Sequence, residues 1–254
     1  MGNTLLRYLC NSVALENRRP INTCRLSGPA NGPNGTAGLG QSLAESRPIT
    51  TIDKYLSTSI HRREPLLTKL RDAFFSVGYE DMTMLALAPL AGVSRRTLYN
   101  HFANKEDAFR FIMRCDGDMA IEQALKLGRE MLDAGARPLD LFVALMDARY
   151  AGVRRRLASS KHALEINEKA FRIGRDIQIE HATTFQDELA VLIGEMQTRG
   201  VLSLKRGTTP ADLAQMLCDG ARGSNQTLPP IPIEKLPDRY RKVIGAILYG
   251  AVAG

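Results

Sequence analysis

Residues 92–102, Gly-Val-Ser-Arg-Arg-Thr-Leu-Tyr-Asn-His-Phe, read as a tight turn followed by a short helix, and they restrict the fold more than any other stretch. Upstream, the Thr83 hydroxyl is placed to cap a helix that carries Leu85, Leu87, Ala88 and Ala91. Gly92 then ends that helix, because glycine accepts the left-handed backbone that a sharp helix-to-helix reversal needs, and Val93 plugs the angle between the two helices. Ser94 offers a fresh N-cap. In the helix that follows, Leu98 and Phe102 are four apart and seat one face, while Arg95, Arg96, Thr97, Tyr99, Asn100 and His101 take the remaining positions. A second helix presented in this way fits the DNA major groove, where its N-terminal residues meet base edges and neighbouring donors grip phosphates.

The flanks extend the pattern. Glu64 to Phe75 reads as an amphipathic helix through Leu66, Leu67, Leu70, Ala73 and Phe74, closed by Gly78. Downstream, Asn104 is a helix cap with Glu106 and Asp107 in the first turn, and Phe109 and Ile112 face the core. The ordered set over residues 60–115 (an amphipathic helix, Gly-Tyr, Thr at the next cap, Ala-Gly-Val-Ser, Thr-Leu-Tyr, His-Phe and Asn-Lys-Glu) resembles the tetracycline-repressor (TetR) family. That resemblance implies a dimeric regulator with a three-helix DNA-binding unit on a larger helical ligand-binding and dimerisation domain. It further implies that Thr83 and Tyr99 hold phosphates, that Arg95, Arg96, Thr97 and Asn100 face the groove, and that His101 and Lys105 contact the DNA backbone. Ser94, at the start of the second helix, completes the candidate set. Pro89 departs from the family pattern. Within a helix it removes a hydrogen bond and crowds the preceding turn, so a kinked or shortened supporting helix is expected.

Each residue also has a plainer reading. Arg95 and Arg96 suit a solvated helix face, and Tyr99 a core aromatic, although its place beside Leu98 rather than one turn away puts it on another face. His101 serves equally as a phosphate contact or as a cap of the helix C-terminus.

Net charge says less than the motif. Of the formal +7, residues 1–63 carry eight Lys/Arg against three Asp/Glu, whereas residues 64–114 carry seven against six and the remainder nineteen against eighteen. The excess therefore sits ahead of the helix-turn-helix, not on it. Ser27 to Leu43 holds five glycines with Pro29 and Pro33, a composition that costs much entropy to order, so disorder is expected over residues 1–55. This leader reads either as unstructured chain, or a start placed too far upstream, or as a basic arm; residues 54–63, with Arg62 and Arg63, suit an arm best. No signal peptide, lipidation signal or apolar run of membrane-spanning length is legible. Cys10, Cys24, Cys115 and Cys218 show no paired spacing, which fits a reducing cytoplasm and not a zinc ribbon or disulfide framework.

Beyond the motif the periodicity is helical throughout and no strand alternation competes, so an all-α architecture is expected. It comprises a helix-turn-helix domain over residues 56–115 and a helical ligand-binding and dimerisation domain over residues 116–254. Helices are predicted at Asp116–Leu132, Pro138–Leu157, Lys161–Arg199 as one interrupted helix or two, Pro210–Ala221 and Pro237–Val252. Thr184–Met196 and the final helix are candidate dimer surfaces, against the plainer reading of both as core. Phe142, Met146, Tyr150, Phe171 and Phe185 are candidate linings of an effector pocket, again against ordinary packing.

No cofactor is implied. The four histidines form no ligand cluster, neither His162 with Glu165 nor His181, so no metal is expected. Nucleophile-elbow, phosphate-loop and metallopeptidase motifs are missing, which argues against catalysis. The expected function is a sequence-specific DNA-binding regulator, a ligand-responsive repressor that binds a palindromic double-stranded operator as a homodimer, with a small-molecule effector and no membrane partner. The alternative is a helical interaction protein that keeps the fold without reading operator sequence, for which Pro89 is the specific support.

Overall fold

The computed structural model describes residues 65–252. The leader over residues 1–55, the basic arm and Glu64 lie outside the described residues. The described chain is all-α. A first helix, α1, runs through residues 65–77. Then come α2 (Met84–Leu90) and α3 (Arg95–His101), and the long α4 (Lys105–Asp133). The C-terminal body holds α5 (Pro138–Met146), a π-helical segment (Asp147–Ala151), α6 (Gly152–Leu157), α7 (Ala163–Ile173), α8 (Arg175–Thr198), α9 (Pro210–Asn225) and α10 (Leu236–Ala251). Among the described residues the sole β pairing is an isolated antiparallel bridge between Leu204 and Val252. No described helix is long and apolar enough to cross a membrane.

Two apolar cores form on either side of the midpoint of α4. The first joins Leu67, Leu70 and Phe74 of α1 to Leu87, Leu98, Phe102, Phe109 and Ile112. Phe74, Tyr79 and Phe109 meet there as an aromatic trio, with ring centroids 5.1 to 6.0 Å apart. The second gathers Ile121, Leu125 and Leu132 of α4 with α5, α8, α9 and α10 around Phe142, Phe185 and Tyr240.

Two predicted helix boundaries need correction. The helix starting at Asn104 and the one expected at Asp116–Leu132 are a single helix, so the boundary at residue 115/116 falls inside α4 and not in a linker. Within it, Asp116, Gly117 and Asp118 each meet a residue of another helix. Arg71 of α1 clamps Asp116 through Nε, at 3.1 Å, and Nη2. The His181 ring lies so close over Gly117 that a Cβ there would stand 2.1 Å from it, and His181 Nε2 donates to Asp118 Oδ1 at 2.9 Å. The segment predicted as one helix over Pro138–Leu157 is interrupted by the π turn at Asp147–Ala151. Lys161–Arg199 resolves into two helices parted at Gly174, where a Cβ would strike Met113.

Candidate nucleic-acid interface

The reading helix is built by local capping. Thr83 Oγ1 accepts from the Ala86 amide at 3.1 Å and starts α2. At its far end, the Val93 amide donates to Ala88 O and the Gly92 amide to Pro89 O, with Gly92 at φ +69°. This is the Schellman closure, and its left-handed residue explains the glycine. Ser94 Oγ then accepts from the Thr97 amide at 3.1 Å and lies 2.8 Å from the Thr97 hydroxyl, which fixes the first turn of α3.

Packing orients what capping starts. Leu98 is 1 % exposed and Phe102 is buried beside it, so α3 is seated by the two residues that the sequence assigned to the core. Arg95, Arg96, Thr97, Asn100 and His101 are exposed, and Tyr99 is 56 % exposed. From Met82 to Asn104 the chain has no carboxylate, and among the described residues Arg95 and Arg96 form no ion pair. The nearly neutral segment charge therefore hides a locally cationic helix, because its acids lie before α2 and at the start of α4.

Besides Thr83, three candidates have engaged polar atoms. The hydroxyls of Ser94 and Thr97 face each other as part of the cap. Lys105, expected on the DNA backbone, sends Nζ to the Tyr79 and Glu80 carbonyls at 2.9 Å each, with the Tyr79 ring centroid 4.8 Å away. Its ammonium ties the start of α4 to the loop after α1. Pro89 is the sixth of seven residues in α2, and both it and Leu85, whose carbonyl loses a donor, lie on the exposed side. The helix is short, and both residues are exposed.

Sequence reasoning missed the junction with α7. Glu165 Oε1 accepts from the Glu80 amide at 2.6 Å, Lys169 pairs with the Glu80 carboxylate, and Ser160 Oγ donates to Phe75 O at 2.6 Å. A Cβ on Gly78, at φ +89°, would stand 2.6 Å from the His162 ring. The pairing with Lys169 holds the Glu80 carboxyl below the usual range. Lys69 was also missed; its Nζ would lie 2.7 Å from a Cβ on Gly92. These contacts have no local sequence signature, since their partners are 23 to 89 residues apart.

The expected effector lining is only partly assembled. Phe142, Met146 and Phe185 are fully buried in the second core, with Tyr150 edge-on to Phe185 at 6.0 Å. Phe171 does not join them. It is 43 % exposed on α7, whose inner side is taken by Ile166, Ala170 and Ile173. Among the described residues no group of three or more His, Cys, Asp or Glu is placed to hold a metal ion.

Comparison with known proteins agrees with this geometry. Residues 66–110 match the family described as bacterial regulatory proteins, tetR family. No curated protein sequence matches the chain. A TetR-family transcriptional regulator from Mesorhizobium loti superposes with a TM-score of 0.56 at 18% identity, over 78% of this chain and all of its own. Salmonella enterica GusR gives 0.55 at 19% identity, over 76% of this chain and 97% of its own. SmeT of Stenotrophomonas maltophilia, solved as a triclosan complex, gives 0.53 at 18% identity, over 76% and 92%. Residues 66–110 thus match the tetR family of bacterial regulatory proteins, and the all-helical fold is the one these solved regulators share.

Proposed function

We propose that the protein is a sequence-specific repressor that binds a palindromic DNA operator as a homodimer in the cytoplasm and is released by a small-molecule effector. The observation that carries this reading is the acid-free, exposed face of α3, where Arg95, Arg96, Tyr99 and Asn100 project from a helix seated by Leu98 and Phe102. Guanidinium groups offer the donor fork that reads guanine edges, and an exposed tyrosine hydroxyl reaches phosphate. Thr83 and His101 are exposed, which suits the phosphate contacts assigned to them. A dimer is supported by outward apolar and small residues on the two helices singled out for it: Val191 and Gly194 on α8, Ala246 and Tyr249 on α10. Two reading helices about one DNA turn apart gain affinity and specificity together. SmeT, described as the repressor of a multidrug efflux pump and solved with triclosan, supports an effector-responsive body on the same fold. The alternative of a fold without operator reading loses its support, because Pro89 leaves α3 capped and seated.

The test is to sequence genomic fragments retained by the purified protein beside an Arg95→Ala variant. A recurring palindrome that the variant loses is the expected result. Equal, sequence-indifferent recovery by both would overturn the reading.

A further inference from the structure

The C-terminal body holds a largely buried guanidinium without a counterion. Arg149 lies in the π segment, its guanidinium carbon 5.2 Å from the Tyr150 ring centroid and 5.4 Å from that of Phe185. Its Nε is sealed from water and meets no acceptor. Among the described residues Arg149 forms no ion pair and no side-chain hydrogen bond. The charged neighbour it does feel is another cation, Arg222 of α9, and burial together with that neighbour lowers its basicity. Arg222 Nη2 is likewise buried without a partner, and its Nη1 reaches Asp219 only at 3.4 Å.

Such an arrangement is unfavourable for an empty core. A buried charge needs a partner, and stacking on aromatic rings offsets only part of its lost hydration. The position also lies on an apolar stripe, with Phe142, Met146 and Arg149 at successive helical intervals, where leucine or methionine would pack without charge. The π turn is a second irregularity at the same place, of the kind that accompanies functional sites in helices. Guanidinium groups are donors only, so the group that completes them must be an acceptor. Burial pushes the Tyr150 hydroxyl and the Cys218 thiol up, and the two groups are hydrogen-bonded to each other beside Arg149.

We propose that Arg149 and Arg222 hold the carboxylate of a small organic acid whose apolar part rests against the Tyr150 ring. This inference rests on the reading of the C-terminal body as an effector domain and names the chemical class of the effector. A single carboxylate matches the planar donor fork and offsets the one guanidinium that lacks a carboxylate neighbour.

The test is a thermal melt of the full chain at fixed ionic strength with sodium benzoate and sodium octanoate, against benzamide, octanamide and sodium chloride. At least one carboxylate is expected to raise Tm by about 2 °C or more at millimolar concentration, with no rise from its amide or from chloride. Arg149→Met is expected to raise the Tm of the probe-free protein and to abolish the carboxylate effect, and Arg222→Met to weaken that effect. If Arg149→Met does not fold, Arg149→Lys, which keeps the charge and loses the fork, is expected to raise the carboxylate midpoint at least about fivefold. No rise with either carboxylate, an equal rise with the amides, an effect undiminished in a folded Arg149 variant, or a lower probe-free Tm for a folded Arg149→Met would each overturn the proposal. Retention of genomic DNA is scored on the same samples. DNA binding without a carboxylate effect overturns this inference and leaves the regulator, whereas a carboxylate effect without sequence-dependent DNA binding keeps the anion site and overturns the regulator.

Discussion

At the scale of single residues, exposure and hydrogen bonding separate side chains that look alike in the sequence. Arg95 and Tyr99 project from α3 and hold nothing in the protein together, so Arg95→Ala and Tyr99→Ala should each weaken operator binding about tenfold or more while leaving the melting temperature unchanged. Electrophoretic mobility shifts beside thermal melts check both halves. Lys105 should behave in the opposite way. Its ammonium satisfies two backbone carbonyls, so Lys105→Met is expected to destabilise the fold by about 1–3 kcal/mol and to leave the salt dependence of DNA binding unchanged. Removal of a phosphate contact would instead flatten the slope of log K against log salt by about one. Leu98 and Phe102 were legible as core because their spacing alone places them on one face. The engagement of Lys105 was not, because its partners lie some 25 residues away across a turn whose path depends on tertiary packing.

At the scale of elements, the caps carried most of the legible information. Thr83, Gly92, Ser94 and Asn104 each mark a helix end within the residues that form it, so short-range chemistry suffices to place α2, α3 and the start of α4. Longer elements were less readable. The helix starting at Asn104 and the one expected from Asp116 were not legible as one, because the partners that hold Asp116 and Asp118, Arg71 and His181, come from other helices. The π turn was hidden for a similar reason: Asp147–Ala151 keeps a helical pattern, and its extra residue shows only once Arg149 stacks on Phe185. Pro89 illustrates how position alters a propensity. In an ordinary helix interior it costs about 3 kcal/mol, but here it is the sixth of seven residues and exposed, and the residue whose carbonyl loses a donor, Leu85, is exposed as well. Pro89→Ala should therefore change stability by less than about 1 kcal/mol and operator affinity by less than about twofold. Urea denaturation and a binding titration measure the two quantities, and a large gain in either would show that Pro89 strains the helix-turn-helix.

At the scale of the whole molecule, the reading head and the effector body share structure. The helix α4 contributes Ala108, Phe109 and Ile112 to the first core and Ile121, Ala124, Leu125 and Leu132 to the second. The first core is also completed from beyond the head: Leu157 of α6 and Ile166 of α7 are buried in it, and Ala163, Ala170 and Ile173 pack against it. The loop at Tyr79 and Glu80 is held to α7 by Glu165 and Lys169. A displacement of α7 thus reaches the loop that leads into α2, which gives an effector bound in the body a physical route to the pose of α3. The same sharing limits the independence of the head. A fragment of about 60 residues buries too little surface to be more than marginally stable, and one ending at residue 115 also loses Leu157 and Ile166. Each buried aliphatic side chain removed from a core costs about 2–5 kcal/mol, of the order of the entire stability of so small a unit. The fragment of residues 56–115 should therefore show no cooperative thermal transition and no sequence-specific binding, while the full chain shows both. Circular dichroism melts and operator titrations on the two proteins decide the matter, and a cooperative melt of the fragment would mean that the α7 contacts merely cover a head already able to fold alone.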